Sequence, residues 1–284
     1  MIITVASGKG GTGKTTIATN LALSLPAAQY IDCDVEEPNG NLFLRARIDR
    51  RLEVGKPLPE IDHQRCTFCG ECARACEFNA LAVLKKKVMV FPELCHGCGV
   101  CSYVCPEKAV GEGEKIIGVA EVGVVPREGE DNLGFVQGIL NVGEPMSPPL
   151  IKRVKQFAEP EKIVIQDAPP GTSCPVIQTI NGSDFCLLVT EPTPFGLNDL
   201  ELAVGVVRQL GVPFGVIINR SDSGDQEVRE YCRREQIPVL LEMPMNRDLA
   251  FAYSKGIPYV REVPAAREQF RRLLADIEKE LRRC

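Results

Sequence analysis

Cysteines at one repeated spacing constrain this chain of 284 residues more than any other feature. Cys66, Cys69, Cys72 and Cys76 follow C-x2-C-x2-C-x3-C, and Cys95, Cys98, Cys101 and Cys105 repeat it, with Pro106 after the last. Steps of three residues let one short loop wrap three thiolates around a common centre, and soft sulfur suits iron–sulfur chemistry. From Pro57 to Gly113 cysteine, glycine and short turns replace long apolar periods, with Leu81 to Val90 as a β-like spacer. Residues 57–113 are therefore expected to form an inserted small α+β module, and 1–56 with 114–284 a second, larger domain.

The larger domain has a different rhythm. Ile2 to Ala6 is an apolar strand meeting a glycine turn, and Ile17, Leu21 and Leu25 mark a helix that Pro26 stops. Strands are expected at Tyr30 to Cys33, Lys162 to Gln166, Phe185 to Thr190, Phe214 to Asn219 and Pro238 to Leu241. Helices near 148–157, 196–210 and 224–235 separate the later ones. Lys115 to Val125 and Leu133 to Val142 read as a strand pair joined by a polar turn. Strands alternating with helices imply an α/β fold, a doubly wound and mainly parallel sheet covered on both faces.

Between the first strand and helix, Gly8-Lys9-Gly10-Gly11-Thr12-Gly13-Lys14-Thr15 satisfies G-x4-G-K-[ST], a P-loop. Gly8, Gly10, Gly11, Thr12 and Gly13 offer backbone N–H groups to phosphate at a helix N-terminus. Lys14 is placed to neutralise the terminal phosphates, Thr15 to ligate Mg²⁺, and Thr16 to extend the site into the helix. Asp32-Cys33-Asp34 ends the second strand, and Ile163 to Asp167 is an apolar strand ending in aspartate.

With Lys9, the loop resembles the deviant Walker A motif of the MinD/ParA/Mrp ATPases, a group that includes the nitrogenase iron protein. That resemblance implies ATP or ADP with Mg²⁺, and an ATP-dependent homodimer in which Lys9 reaches the partner's nucleotide. It implies that Asp34 positions the attacking water, with Asp32 a supporting or purely structural carboxylate, and that Asp167 holds Mg²⁺. Ala168-Pro169-Pro170-Gly171-Thr172 matches the second switch, while Asn219, Arg220 and Pro244 match the loops that flank the base. Thr190-Glu191-Pro192-Thr193-Pro194 matches another family loop, for which no chemical role follows.

The paired cysteine runs resemble two-cluster bacterial ferredoxins, in which the fourth cysteine of each run ligates the other cluster. This implies one [4Fe–4S] cluster on Cys66, Cys69, Cys72 and Cys105, and a second on Cys76, Cys95, Cys98 and Cys101. Zinc is the alternative for paired C-x2-C, and the fixed third and fourth cysteines argue against it. Glu77 follows Cys76 where proline is usual, which bears on the local geometry of the first run. His96 reads as a loop histidine. The remaining Cys33, Cys174, Cys186, Cys232 and Cys284 read as small apolar fillers.

A net charge of −5 and a pI near 5.4 argue against nucleic acid as partner. No export signal or membrane span is legible, which together with the cysteines points to a reducing cytoplasm. Phe270, Leu273, Leu274, Ile277 and Leu281 make a helical stripe that reads as core rather than as a membrane anchor. The function expected is an ATPase whose nucleotide state is coupled, with a redox or metal-cofactor partner protein, to electron transfer or cofactor handling. A cluster-assembly scaffold, a reductase and a spatial organiser are the rivals.

Overall fold

The computed structural model describes residues 1–283, so Cys284 lies outside the described residues. Its strands are β1 (Ile2–Ala6), β2 (Ala28–Asp32), β3 (Arg47–Ile61), β4 (Leu81–Leu84), β5 (Lys87–Val90), β6 (Val110–Val125), β7 (Leu133–Leu140), β8 (Ile163–Asp167), β9 (Phe185–Thr190), β10 (Phe214–Asn219) and β11 (Val239–Met243). Nine form one sheet in the order β11-β10-β9-β1-β8-β2-β7-β6-β3, while β4 and β5 pair alone. From β11 to β7 every adjacent pair is parallel, with β1 between β8 and β9.

The central strands read as unbroken apolar runs because helices cover both of their faces. Within β9, Leu187 and Val189 enter one core with Ile17, Leu21 and Phe270, while Cys186 and Leu188 enter another with Val204 and Val228. The C-terminal stripe settles into the first core: Phe270, Leu273 and Ile277 are buried on the Ala266–Leu281 helix. Among the described residues no helix is long and apolar enough to cross a membrane.

The chain divides into two compact units, one of 1–51, 120–139 and 151–284, the other of 52–119 and 140–150. β3 was not legible as a strand. Its start, Arg47-Ile48-Asp49-Arg50-Arg51, is charged and mostly exposed, as suits the edge of a sheet. The helices Cys174–Ile180 and Arg247–Ser254 were also unread, being short and lacking a long apolar period.

Candidate functional site

The P-loop is shaped by what presses on it. Gly13 sits at φ 97° just before the Lys14–Ser24 helix, where a side chain is strained. A Cβ there would also come within 2.6 Å of Asn219 Nδ2. That amide donates to the Thr12 carbonyl at 2.8 Å, tying the end of β10 to the loop. Gly8 is required for a second reason, since a Cβ would run into the Asp199 carbonyl. Lys14 is only 7% exposed, and the Thr12 hydroxyl is buried with no hydrogen-bond partner.

Carboxylates face this loop from parallel strands. β2 and β8 run in register with Asp32 beside Asp167, and β8 adjoins β1. Tyr30 donates its hydroxyl to Asp167 Oδ2 at 2.9 Å, while Asp167 Oδ1 is buried and without a hydrogen-bond partner. Asp32 accepts the N–H of Asp34 at 3.1 Å and that of Gly40 at 2.9 Å. These bonds fix Asp32 to the backbone of the segment that carries Asp34.

Burial pushes the Asp32 and Asp167 carboxyls above the usual range, and the charge of Asp167 adds to the effect on Asp32. Lys14 and the neighbouring Thr15 hydroxyl oppose the shift at Asp167. Asp34 is pushed up to about 6, first by burial and then by Asp167, with Lys14 opposing. An unpartnered oxygen among crowded acids suits a divalent cation, and an unpartnered Thr12 hydroxyl beside Lys14 suits phosphate.

Two contacts were not foreseen. Tyr30 was read only as strand, yet it orients Asp167. Glu191 joins Arg220 at 2.7 Å and Lys9 at 3.8 Å, giving the Thr190–Pro194 segment a place beside the P-loop. Arg220 itself is at φ 51°, with its N–H on Asn219 Oδ1. Pro244 lies in the loop after β11, where Met245 donates to Asp222 and Ser221 to the Met243 carbonyl. The segment from Ala168 to Thr172 also reaches the P-loop, since the Gly171 N–H donates to the Ser7 carbonyl at 3.0 Å.

In the smaller unit, the cysteine runs trace the same backbone path twice. Phe68 and Gly97, Gly70 and Gly99, and Asn79 and Lys108 hold positive φ at equivalent places. The thiols of Cys76 and Cys105 each accept the backbone N–H four residues on, from Ala80 at 3.3 Å and Ala109 at 3.2 Å. The structure brings Cys66, Cys69, Cys72 and Cys105 around one cavity. Cys76, Cys95, Cys98 and Cys101 line another. His96 stacks on Phe78 at the second, ring centroids 3.5 Å apart. Among the described residues no group of three or more His, Cys, Asp or Glu is placed to hold a metal ion. Elsewhere Cys33, Cys186 and Cys232 are buried as fillers, whereas Cys174 is exposed and fills nothing.

Residues 3–259 match the CobQ/CobB/MinD/ParA nucleotide binding domain. The chain belongs to that family. An uncharacterized protein of Methanocaldococcus jannaschii is 30% identical over 277 residues, covering 92% of each chain. An iron-sulfur cluster carrier protein of Aquifex aeolicus is 24% identical over 287 residues, 93% of this chain and 62% of that one. The septum site-determining protein MinD complexed with Mg-ADP from Pyrococcus horikoshii superposes with a TM-score of 0.59 at 18% identity, covering 98% of this chain and 96% of that one. The last likeness is one of fold. This family member is therefore an α/β nucleotide-binding protein with a P-loop at the C-terminal edge of its parallel sheet.

Proposed function

We propose that this P-loop protein binds and hydrolyses Mg-ATP as a cytoplasmic, ATP-dependent dimer, and that it holds two [4Fe–4S] clusters. Its nucleotide state is coupled to electron transfer or metal-cofactor handling with a partner protein. One observation carries the reading: the same chain holds a P-loop faced by buried carboxylates and two cavities, each lined by four thiols drawn from both runs. Such sulfur-lined spaces suit a polyatomic cluster, which supplies one-electron chemistry when bound.

At the nucleotide, Lys14 and the loop N–H groups hold phosphate, Thr15 and Asp167 hold Mg²⁺, and Asp34 orients water. Asn219, Arg220 and Pro244 flank the base. The test of coupling is the ATPase rate of anaerobic protein with clusters oxidised, reduced and removed. Rates differing by severalfold are expected, and identical rates would overturn the coupling. The likeness to an iron-sulfur cluster carrier favours a second reading, in which the clusters are cargo. Transfer of iron and sulfide to an apo-protein would select it.

The raised carboxyls give the site a pH signature. Folding favours the neutral form of Asp34, so its contribution stabilises the nucleotide-free chain as pH falls from about 6 toward the ordinary carboxylate range near 4. Mg²⁺ needs the anions, so its binding releases protons and weakens over the same window. Mg-ADP should raise the melting midpoint more at about pH 8 than at about pH 5.5. Asp34→Asn should flatten that difference, separating it from titration of the nucleotide. An equal rise at both pH values would contradict the assignment.

A further inference from the structure

The two thiol-lined cavities differ in the exposed cations that adjoin their lining residues in the chain. Arg65 precedes Cys66, Lys87 precedes Val88 and Lys108 precedes Ala109, and each of those neighbours lines the cavity of Cys66, Cys69, Cys72 and Cys105. Lys85 and Lys86 complete the β4–β5 turn beside Lys87. All five cations are exposed. The unit's other cations are committed, Arg74 to Glu71, Lys56 to Glu144 and Lys115 to Glu144. Of the acids beside this cavity, Glu71 is held by Arg74 and Asp62 accepts the N–H groups of Gln64 and Arg65, while Glu107 lines it and the exposed Glu60 precedes Ile61. At the other cavity no exposed lysine or arginine among the described residues adjoins the lining, Glu112 lines it and the exposed Glu77 follows Cys76.

The hairpin also orders the cavities. Val83 pairs with Val88, and both wall the cavity of Cys66, Cys69, Cys72 and Cys105; the next pair outward, Leu84 with Lys87, already belongs to the lysine tip. Toward the hairpin's base, Leu81 walls the other cavity. Leu81 and Val83 share a face two residues apart, a separation of about 7 Å along the strand.

We infer that the lysine tip with Arg65 and Lys108 is the docking surface for an acidic one-electron carrier protein, and that the cavity of Cys66, Cys69, Cys72 and Cys105 is where the electron enters. The inference rests on the iron–sulfur reading above. One electron leaves the reduced carrier, which is oxidised by one, and the cluster of that cavity is reduced by one; no bond breaks. Opposite charge steers encounter and orients the carrier, whereas Glu77 and Glu112 at the other cavity repel it.

The test uses the full anaerobic chain and, as probe, a plant-type [2Fe–2S] ferredoxin of acidic surface. Binding of the oxidised probe, followed by titration at low ionic strength, reads the surface whether or not the chain carries iron. Lys85→Glu, Lys86→Glu and Lys87→Glu together are expected to weaken that binding by about tenfold or more and to abolish its salt dependence. The same variant should be reduced about tenfold more slowly by reduced ferredoxin, yet no more slowly by the methyl viologen radical cation. Glu77→Lys should leave ferredoxin binding intact. Equal binding of the probe by the wild-type and triple-lysine variant chains overturns the docking surface. Probe binding by a wild-type chain that carries no iron, lost in the triple-lysine variant, supports the surface and overturns the cluster reading alone.

Discussion

Lys14→Ala is expected to weaken Mg-ATP binding by roughly 30- to 1,000-fold, and turnover should vanish with it. Lys14 opens the helix after the P-loop, is nearly buried, and opposes the rise in pKa at both Asp34 and Asp167. Its removal takes away the cation beside the phosphates and leaves the acids facing them uncompensated. A charge-assisted hydrogen bond in such surroundings is worth about 1.5–3 kcal/mol, and breaking a buried pair costs about 3–5 kcal/mol, which brackets that loss. Equilibrium binding of a fluorescent ATP analogue measures it, and circular dichroism checks that the fold survives. Affinity within threefold of wild type would remove Lys14 from the site.

Cys105→Ser should lose the cluster of the first run rather than of its own. Purified without oxygen, the variant is expected to hold about four irons in place of about eight. The reason is spatial. Cys105 lies around the same cavity as Cys66, Cys69 and Cys72, while Cys76 joins Cys95, Cys98 and Cys101. Low-temperature electron paramagnetic resonance of the reduced protein should therefore show Cys105→Ser and Cys66→Ser losing the same signal, and the double variant losing no more than either. If Cys105→Ser instead copies Cys95→Ser, the crossed assignment is wrong.

Much of the fold was legible because it follows local patterns. Unbroken apolar runs marked β9 and β10 at the bounds the structure shows, since strands buried on both faces leave no polar positions. β3 escaped because an edge strand keeps its charges in solvent. The site divides in the same way. Gly8 to Thr15 announced phosphate binding because a tight turn, an N-terminal helix end and a lysine are contiguous there. Tyr30 carried no such signal, because nothing in a tyrosine within an apolar strand shows that its hydroxyl will meet Asp167 across the sheet. Nor did the sequence show that Asp32 would accept the N–H groups of Asp34 and Gly40.

Spacing along the chain settles which atoms can act together within one turn: three thiols from each run, and the glycines, lysine and threonines of one loop. Contacts between distant segments needed the folded chain, because a side chain's neighbour is chosen by sheet order and packing. Glu191 bridging Lys9 and Arg220, an unpartnered oxygen on Asp167, and four thiols from both runs lining each of two cavities are of that kind. Each arises where residues far apart in sequence share a few ångströms of space, a relation that no local period encodes.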